Sequence, residues 1–195
     1  MDEREIEAEY FDSEIEICGK VPKSKIKGLI QAINCQECSD EWDGAVVTLG
    51  DPEEEFAKAI EQLLSLKRED HHGTIWLCNN YARWGELAEI EEYCVENDIG
   101  FRRRSSSYGE YNPEIKEFRS GMESYEVYAI DADGYPVIDA SVVIDYIKAI
   151  EAPGNNTPTE QQTKESLEAY ETMKGALPLN VAPLEPFEII EELES

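Results

Sequence analysis

Forty-four Asp and Glu residues stand against 17 Lys and Arg, a formal charge of −27. That surplus limits what the chain can fold into more than any other feature. A carboxylate left unpaired in a core costs several kcal/mol or is forced to take up a proton, so most of these groups must stay in water. The 41% of hydrophobic residues still suffices for a core, and 195 residues fit one ordinary domain plus a tail. Phosphate contacts require clustered Lys and Arg, so direct binding to nucleic acid or an anionic membrane is disfavoured. The expected partner is a basic protein. No apolar run approaches the ~20 residues of a membrane span. Met1-Asp2-Glu3-Arg4-Glu5 has no basic region leading into an apolar stretch, so an unexported, cytoplasmic protein is expected. There, Cys18, Cys35, Cys38, Cys78 and Cys94 are expected to be free thiols.

The charge is uneven. Residues 18–33 hold four lysines and no acid, and residues 102–121 hold five basic residues against three acidic ones. Apolar alternation over 5–10 and 14–18 predicts strand or hairpin. Pro22 opens a helix with Ile26, Leu29, Ile30 and Ile33 on its apolar face. Ala45–Leu49 reads as a short strand. Asp51-Pro52 followed by three glutamates reads as a helix start, with Phe56, Ala59, Ile60, Leu63 and Leu64 inward. Thr74–Cys78 is a strand, 84–97 a helix ended by Gly100 as a left-handed cap, and 101–105 a strand. Tyr125–Ile130 and Tyr135–Asp139 flank Asp131-Ala132-Asp133-Gly134, a hairpin signal. Ser141–Ile150 is expected as a last core helix, with Val142, Val143, Tyr146, Ile147 and Ile150 inward.

Pro153-Gly154-Asn155-Asn156-Thr157-Pro158 marks a linker. The division expected is therefore a core domain, 1–151, and a linker with an acidic C-terminal tail, 152–195, mobile or docked as an extended arm. The fold class is α+β: a mixed sheet with helices packed mainly on one face, ferredoxin-like topology being one candidate.

Motifs for chemistry are few. Cys35 and Cys38 have zinc-knuckle spacing and are weak zinc candidates, but no second pair repeats it, and ordinary loop thiols are the first expectation. His71 and His72 beside Asp70 read as a solvated turn. The Asp131–Gly134 run fails as a calcium loop, because position 12 is Val142 where a Glu is required. No phosphate-cradling loop, nucleophile elbow or metal triad is present, so no catalytic residue and no cofactor are assigned. Arg102, Arg103 and Arg104 cannot share one face of a strand. Arg103 falls with Phe101 and Ser105, and Arg102 and Arg104 lie opposite. Ion pairs within the protein are the first expectation for them, and an anion site assisted by Ser105–Ser107 is the second.

The segment Tyr108–Gly121, with Trp84-Gly85-Glu86-Leu87 and Asp131–Pro136, resembles small uncharacterised proteins carried by bacterial mobile elements, over roughly residues 74–140. That resemblance implies genomic company and no particular chemistry.

Glu89, Glu92 and Glu96 follow three-then-four spacing and line one helix ridge, which Glu86 extends by a turn. A solvated face is the ordinary reason for such a ridge. A protein copying the field of a duplex, one charge per ~1.7 Å of axis, would also need one. The function expected is inhibition or regulation of a nucleic-acid-binding protein by this acidic surface, as a DNA-mimicking anti-defence protein (anti-restriction or anti-CRISPR). An adaptor or structural subunit using acidic patches and tail is the alternative. An enzyme without a recognisable motif comes third.

Overall fold

The computed structural model describes residues 10–107, 112–131, 135–138, 140–151, 160–176 and 183–191. The alternation at 5–9, residues 108–111, the turn tip 132–134 and the linker 153–158 lie outside them. In chain order the elements are β1 (Tyr10–Cys18), β2 (Lys20–Pro22), α1 (Lys23–Gln36), α2 (Phe56–Ser65), β3 (Lys67–Arg68), β4 (Thr74–Arg83), α3 (Ala88–Glu96), β5 (Gly100–Ser105), β6 (Glu114–Phe118), β7 (Glu126–Ala129), α4 (Ala140–Glu151), α5 (Glu160–Ala176) and β8 (Glu188–Ile190).

Six strands form one sheet in the order β3-β4-β1-β5-β6-β7. The pairs β3/β4, β4/β1, β1/β5 and β5/β6 are antiparallel. The class is α+β, as the sequence predicts. The run β1-α1-β3-β4-α3-β5, with β1 between β4 and β5, is compatible with the ferredoxin-like candidate.

Strand alternation divides the sheet into two faces. On one face Ile15, Ile17, Ile75, Leu77 and Phe101 are fully buried, together with Ile26, Leu29, Ile30 and Ile33 of α1 and Ile90 and Cys94 of α3. The α1 stripe is the one expected. Close approach of α1 to α3 depends on Gly28, where an added Cβ would lie 2.4 Å from the Tyr93 ring. Tyr93 also donates its hydroxyl to the Lys25 carbonyl at 2.7 Å.

Several expectations are corrected. Ala45–Leu49 forms only a bridge from Val46 to Ser39, and Val46 is exposed, so β-forming composition did not secure a place in the sheet. The second helix starts at Phe56, because Asp51 caps a separate turn through the Glu53 amide at 2.7 Å. Its stripe is narrower than expected, with Ala59 and Leu63 buried and Leu64 exposed. Gly100 does not cap α3: the left-handed residue there is Asp98, φ 56°. Gly100 is instead required for packing, since a Cβ would sit 2.9 Å from Cys18 Sγ.

The chain divides into two compact units, Met1–Val127 with Ala182–Ser195, and Tyr128–Val181. In the second unit α4 packs on α5, with the Tyr146 and Tyr170 rings 6.4 Å apart. The expectation of a core helix at 141–150 is thus corrected: Val142, Val143 and Tyr146 are half-buried and Ile147 is exposed. Helical period shows which side is apolar but not what covers it.

Residues 183–191 of the C-terminal segment are docked on the first unit. Leu184 and Phe187 are buried, and β8 runs parallel to β2. The Phe187 amide donates to the Gly73 carbonyl and the Glu188 amide to the Gly19 carbonyl, both at 3.0 Å. Lys23 Nζ meets Glu191 at 2.8 Å. Phe187 belongs to the same buried cluster as Ile15 and Leu29. Phe187→Ala is expected to cost about 3–5 kcal/mol, and Glu188→Ala at an exposed position less than about 0.5 kcal/mol. Urea unfolding of the two variants checks the contrast.

Candidate partner-binding surface

The acidic ridge is built on α3 and on the turn before it. The helix begins at Ala88, four residues later than expected. Residues 83–86 make a tight turn in which the Gly85 amide donates to the Ala82 carbonyl and the Glu86 amide to the Arg83 carbonyl. Trp84 and Gly85 both have positive φ, 56° and 69°. Gly85 is also pinned from below: the Ser13 hydroxyl donates to its carbonyl at 2.9 Å, and an added Cβ would lie 2.8 Å from Ser105 Cβ. Glu86 therefore extends the ridge from a turn rather than from a helical one.

Glu86, Glu89, Glu92 and Glu96 are all exposed, and none forms an ion pair among the described residues. Glu91 is different. Only 3% of its side chain is exposed. Its Oε1 accepts the Leu87 amide at 2.8 Å, closing the first turn of α3. Arg103 Nε lies 3.1 Å from the same oxygen, and Lys116 Nζ lies 2.6 Å from Oε2. Arg103, also 1% exposed, reaches Glu114 through Nη2 at 2.5 Å. Two strands and a helix are thus joined by a buried charge cluster. The signal for Glu91 was in the sequence: it stands four residues after Leu87 and three before Cys94, on the apolar stripe.

The three arginines divide as strand geometry requires. Arg103 points under α3 beside Phe101 and Ser105. Arg102 Nε pairs with Glu117 on the opposite face at 2.9 Å, and Arg119 Nε holds the other oxygen of Glu117 at 2.5 Å. Arg104 is exposed and stands opposite Glu14 in register. Arg103 thus faces away from Arg102 and Arg104, and carboxylates engage Arg102 and Arg103.

Two clefts flank Glu86. One, of about 290 Å³, is lined by Glu91, Glu92, Val95, Glu96, Lys116 and Tyr125 as well as Glu86. The Lys116 ammonium sits 4.0 Å from the Tyr125 ring centroid. The other, of about 580 Å³, lies where α1 ends, β4 ends and α3 begins. Beyond the ridge, Asp98 Oδ1 accepts the Gly121 amide and Oδ2 the Ser120 hydroxyl, each at 2.7 Å. These bonds hold its carboxyl below the usual range.

The remaining candidates are dispersed. Cys35 is exposed and Cys38 fully buried. Among the described residues, no three His, Cys, Asp or Glu side chains are grouped to hold a metal. His72 lies in the turn with φ 58°, but His71 is drawn in, 3.2 Å from Glu16 and packed against Trp76. No helix among the described residues is long and apolar enough to cross a membrane. No protein-family model matches the chain, and neither a curated protein nor a solved structure matches it.

Glu91→Ala leaves buried Arg103 with Glu114 alone and takes the carboxylate from Lys116, and is expected to cost about 3–5 kcal/mol, whereas the neighbouring Glu92→Ala should stay within about 0.5 kcal/mol. Chemical denaturation separates the two. Burial pushes the Cys18 and Cys78 thiols up to about 11, Cys38 up to about 12, and Cys94 up as well. Native protein at pH 8 should expose one fast thiol, Cys35, to a maleimide, and denatured protein five. The folded chain keeps thiol protons that the unfolded chain loses above its ordinary value of 9.0. This stabilisation is therefore full below pH 9 and lost as pH rises through 11 to 12, so the melting temperature should fall across that window.

Proposed function

We propose that this chain binds a basic protein through the outward ridge of α3, and that the partner is a nucleic-acid-binding protein whose basic groove the ridge occupies. An anti-restriction or anti-CRISPR protein is the concrete form of this reading. One observation carries it: Glu86, Glu89, Glu92 and Glu96 face water without a cationic partner among the described residues, while the basic islands are used internally. Lys23 and Lys27 meet Glu191 and Glu53, and Arg102 and Arg103 meet Glu117, Glu91 and Glu114. The field around α3 is therefore negative, which steers a basic partner into contact. The reading assigns no catalytic residue, no cofactor and no direct contact with nucleic acid or membrane. It places the protein in the cytoplasm, where its thiols stay reduced.

A second reading, an adaptor or structural subunit, is favoured by the α4–α5 pair, where Ile144, Ile147, Leu167 and Tyr170 are exposed. The two readings differ in their response to salt and to DNA. Under the first, affinity falls as salt shortens the Debye length from ~10 Å at 0.1 M, and DNA competes for the partner. Charge reversal at Glu89, Glu92 and Glu96 should weaken binding to the partner recovered by pull-down about tenfold or more. Reversal at Glu165, Glu168 and Glu171 on α5 should have a smaller effect. A partner that holds DNA and this protein together, with salt-insensitive affinity, gives the adaptor reading the lead.

A further inference from the structure

We infer that the larger cleft beside Glu86 is a receptor for an arginine side chain of the partner. This rests on the reading of α3 as the binding surface and names its specific contact. The cleft is concave, about 580 Å³, and its walls combine two aromatic residues with carboxylates. Tyr81, at the end of β4, is 78% exposed, and Trp84 is half-buried in the turn that follows. Glu37, Glu86 and Glu89 share the rim with a single guanidinium, Arg83. Three carboxylates against one cation leave the cleft negative, and aromatic faces attract a cation by their quadrupole. Together these select a cationic side chain. Arginine fits better than lysine, because its planar guanidinium stacks on a ring while its fork pairs with a carboxylate.

The backbone that carries the walls is held before any ligand arrives. Gly85 holds the turn through Ser13 and its approach to Ser105. The Glu89 amide donates to Gln36 Oε1 at 2.9 Å, fastening the start of α3 to the end of α1. The Asn79 amide nitrogen donates to the Gln36 and Glu37 carbonyls, both at 3.4 Å, and ties β4 to the same corner. A preformed cleft loses little entropy when a side chain enters it. Cys35, the one exposed thiol of the five, also lines this cleft and reports on its occupancy.

The test uses the full chain and a fluorescent acetyl-Gly-Arg-Gly-Arg-Gly amide at about 50 mM salt, where surface charge is weakly screened. Its citrulline counterpart, of the same shape and without charge, is the control. The arginine peptide should bind and the citrulline peptide should not, and binding should slow alkylation of Cys35. Tyr81→Ala should weaken binding about threefold, with Tyr81→Phe restoring it. E86Q/E89Q should weaken it about fivefold and E92Q/E96Q about twofold or less. Tyr81, Glu86 and Glu89 are exposed, and unchanged melting of the variants excludes a folding defect. Absence of peptide binding overturns the inference, as does Cys35 protection by inorganic phosphate instead of the peptide. If the two glutamine pairs weaken binding equally and Tyr81→Ala has no effect, the cleft fails while the acidic ridge stands. If no α3 variant changes binding, both readings fail.

Discussion

The contact between Arg103 and Glu91 is the constraint on which the rest of the first unit depends. Alternation along β5 leaves Arg103 no choice of face: with Phe101 and Ser105 buried toward the helices, Arg103 is buried there too. A guanidinium in that position needs a carboxylate close by and further acceptors for its remaining hydrogens. Glu91 supplies the carboxylate, and the same oxygen accepts the Leu87 amide at the first turn of α3. One side chain thus neutralises a buried cation, caps a helix and sets the rotation of that helix on the sheet. Residue 92 lies about 100° further round the helix. Fixing Glu91 inward therefore turns Glu89, Glu92 and Glu96 to water.

This arrangement also explains where the basic residues go. In a chain with so few cations, each one paired within the chain is unavailable to the exposed acids of α3. The row across β1, β5 and β6 on the other face shows the same use. Glu16 stands opposite Arg102, Arg102 opposite Glu117, and Glu117 is fully buried between Arg102 and Arg119. The positive islands at 18–33 and 102–121, conspicuous in the sequence, are largely structural. What is left over is acid, and part of it lies on α3, which the interior holds through Glu91.

Local period was enough to place β1, α1, β4, β5 and the faces of the three arginines, since each depends on a two- or 3.6-residue repeat within one segment. Features set by distant partners were not legible. Ala45–Leu49 has strand composition, but Val46 bridges Ser39, and it is Ser39 that bridges Cys78 of β4, more than 30 residues on. Amphipathic 141–150 has an apolar side that is met by α5. Leu184 and Phe187 stand among prolines and glutamates, and nothing nearby in sequence shows that Val21 and Gly73 receive their segment. Glu91 was hidden by the acids around it, although its position on the Leu87–Cys94 stripe marks it as inward. Helical spacing includes Trp84 and Glu86, but positive φ at Trp84 and Gly85 sets them in a turn. That turn creates the aromatic cleft.

The length of the ridge bears on what it can replace. Glu89 and Glu96 are seven residues apart, about 10.5 Å along a helix rising 1.5 Å per residue. With Glu92 between them the spacing is about 5 Å per charge, against ~3.4 Å along one strand of DNA. The ridge alone therefore matches about three phosphates of a single strand, at lower density than the polymer, and it does not reproduce the two-stranded field of a duplex. A partner selecting on charge alone would prefer the nucleic acid. For this chain to compete, the ridge must be supplemented by a contact that DNA lacks. An aromatic face beside a carboxylate, as proposed for Tyr81, Trp84 and Glu86, would be such a contact: it would hold the same arginine that otherwise meets a phosphate and add the attraction of the ring, which screening by salt weakens less.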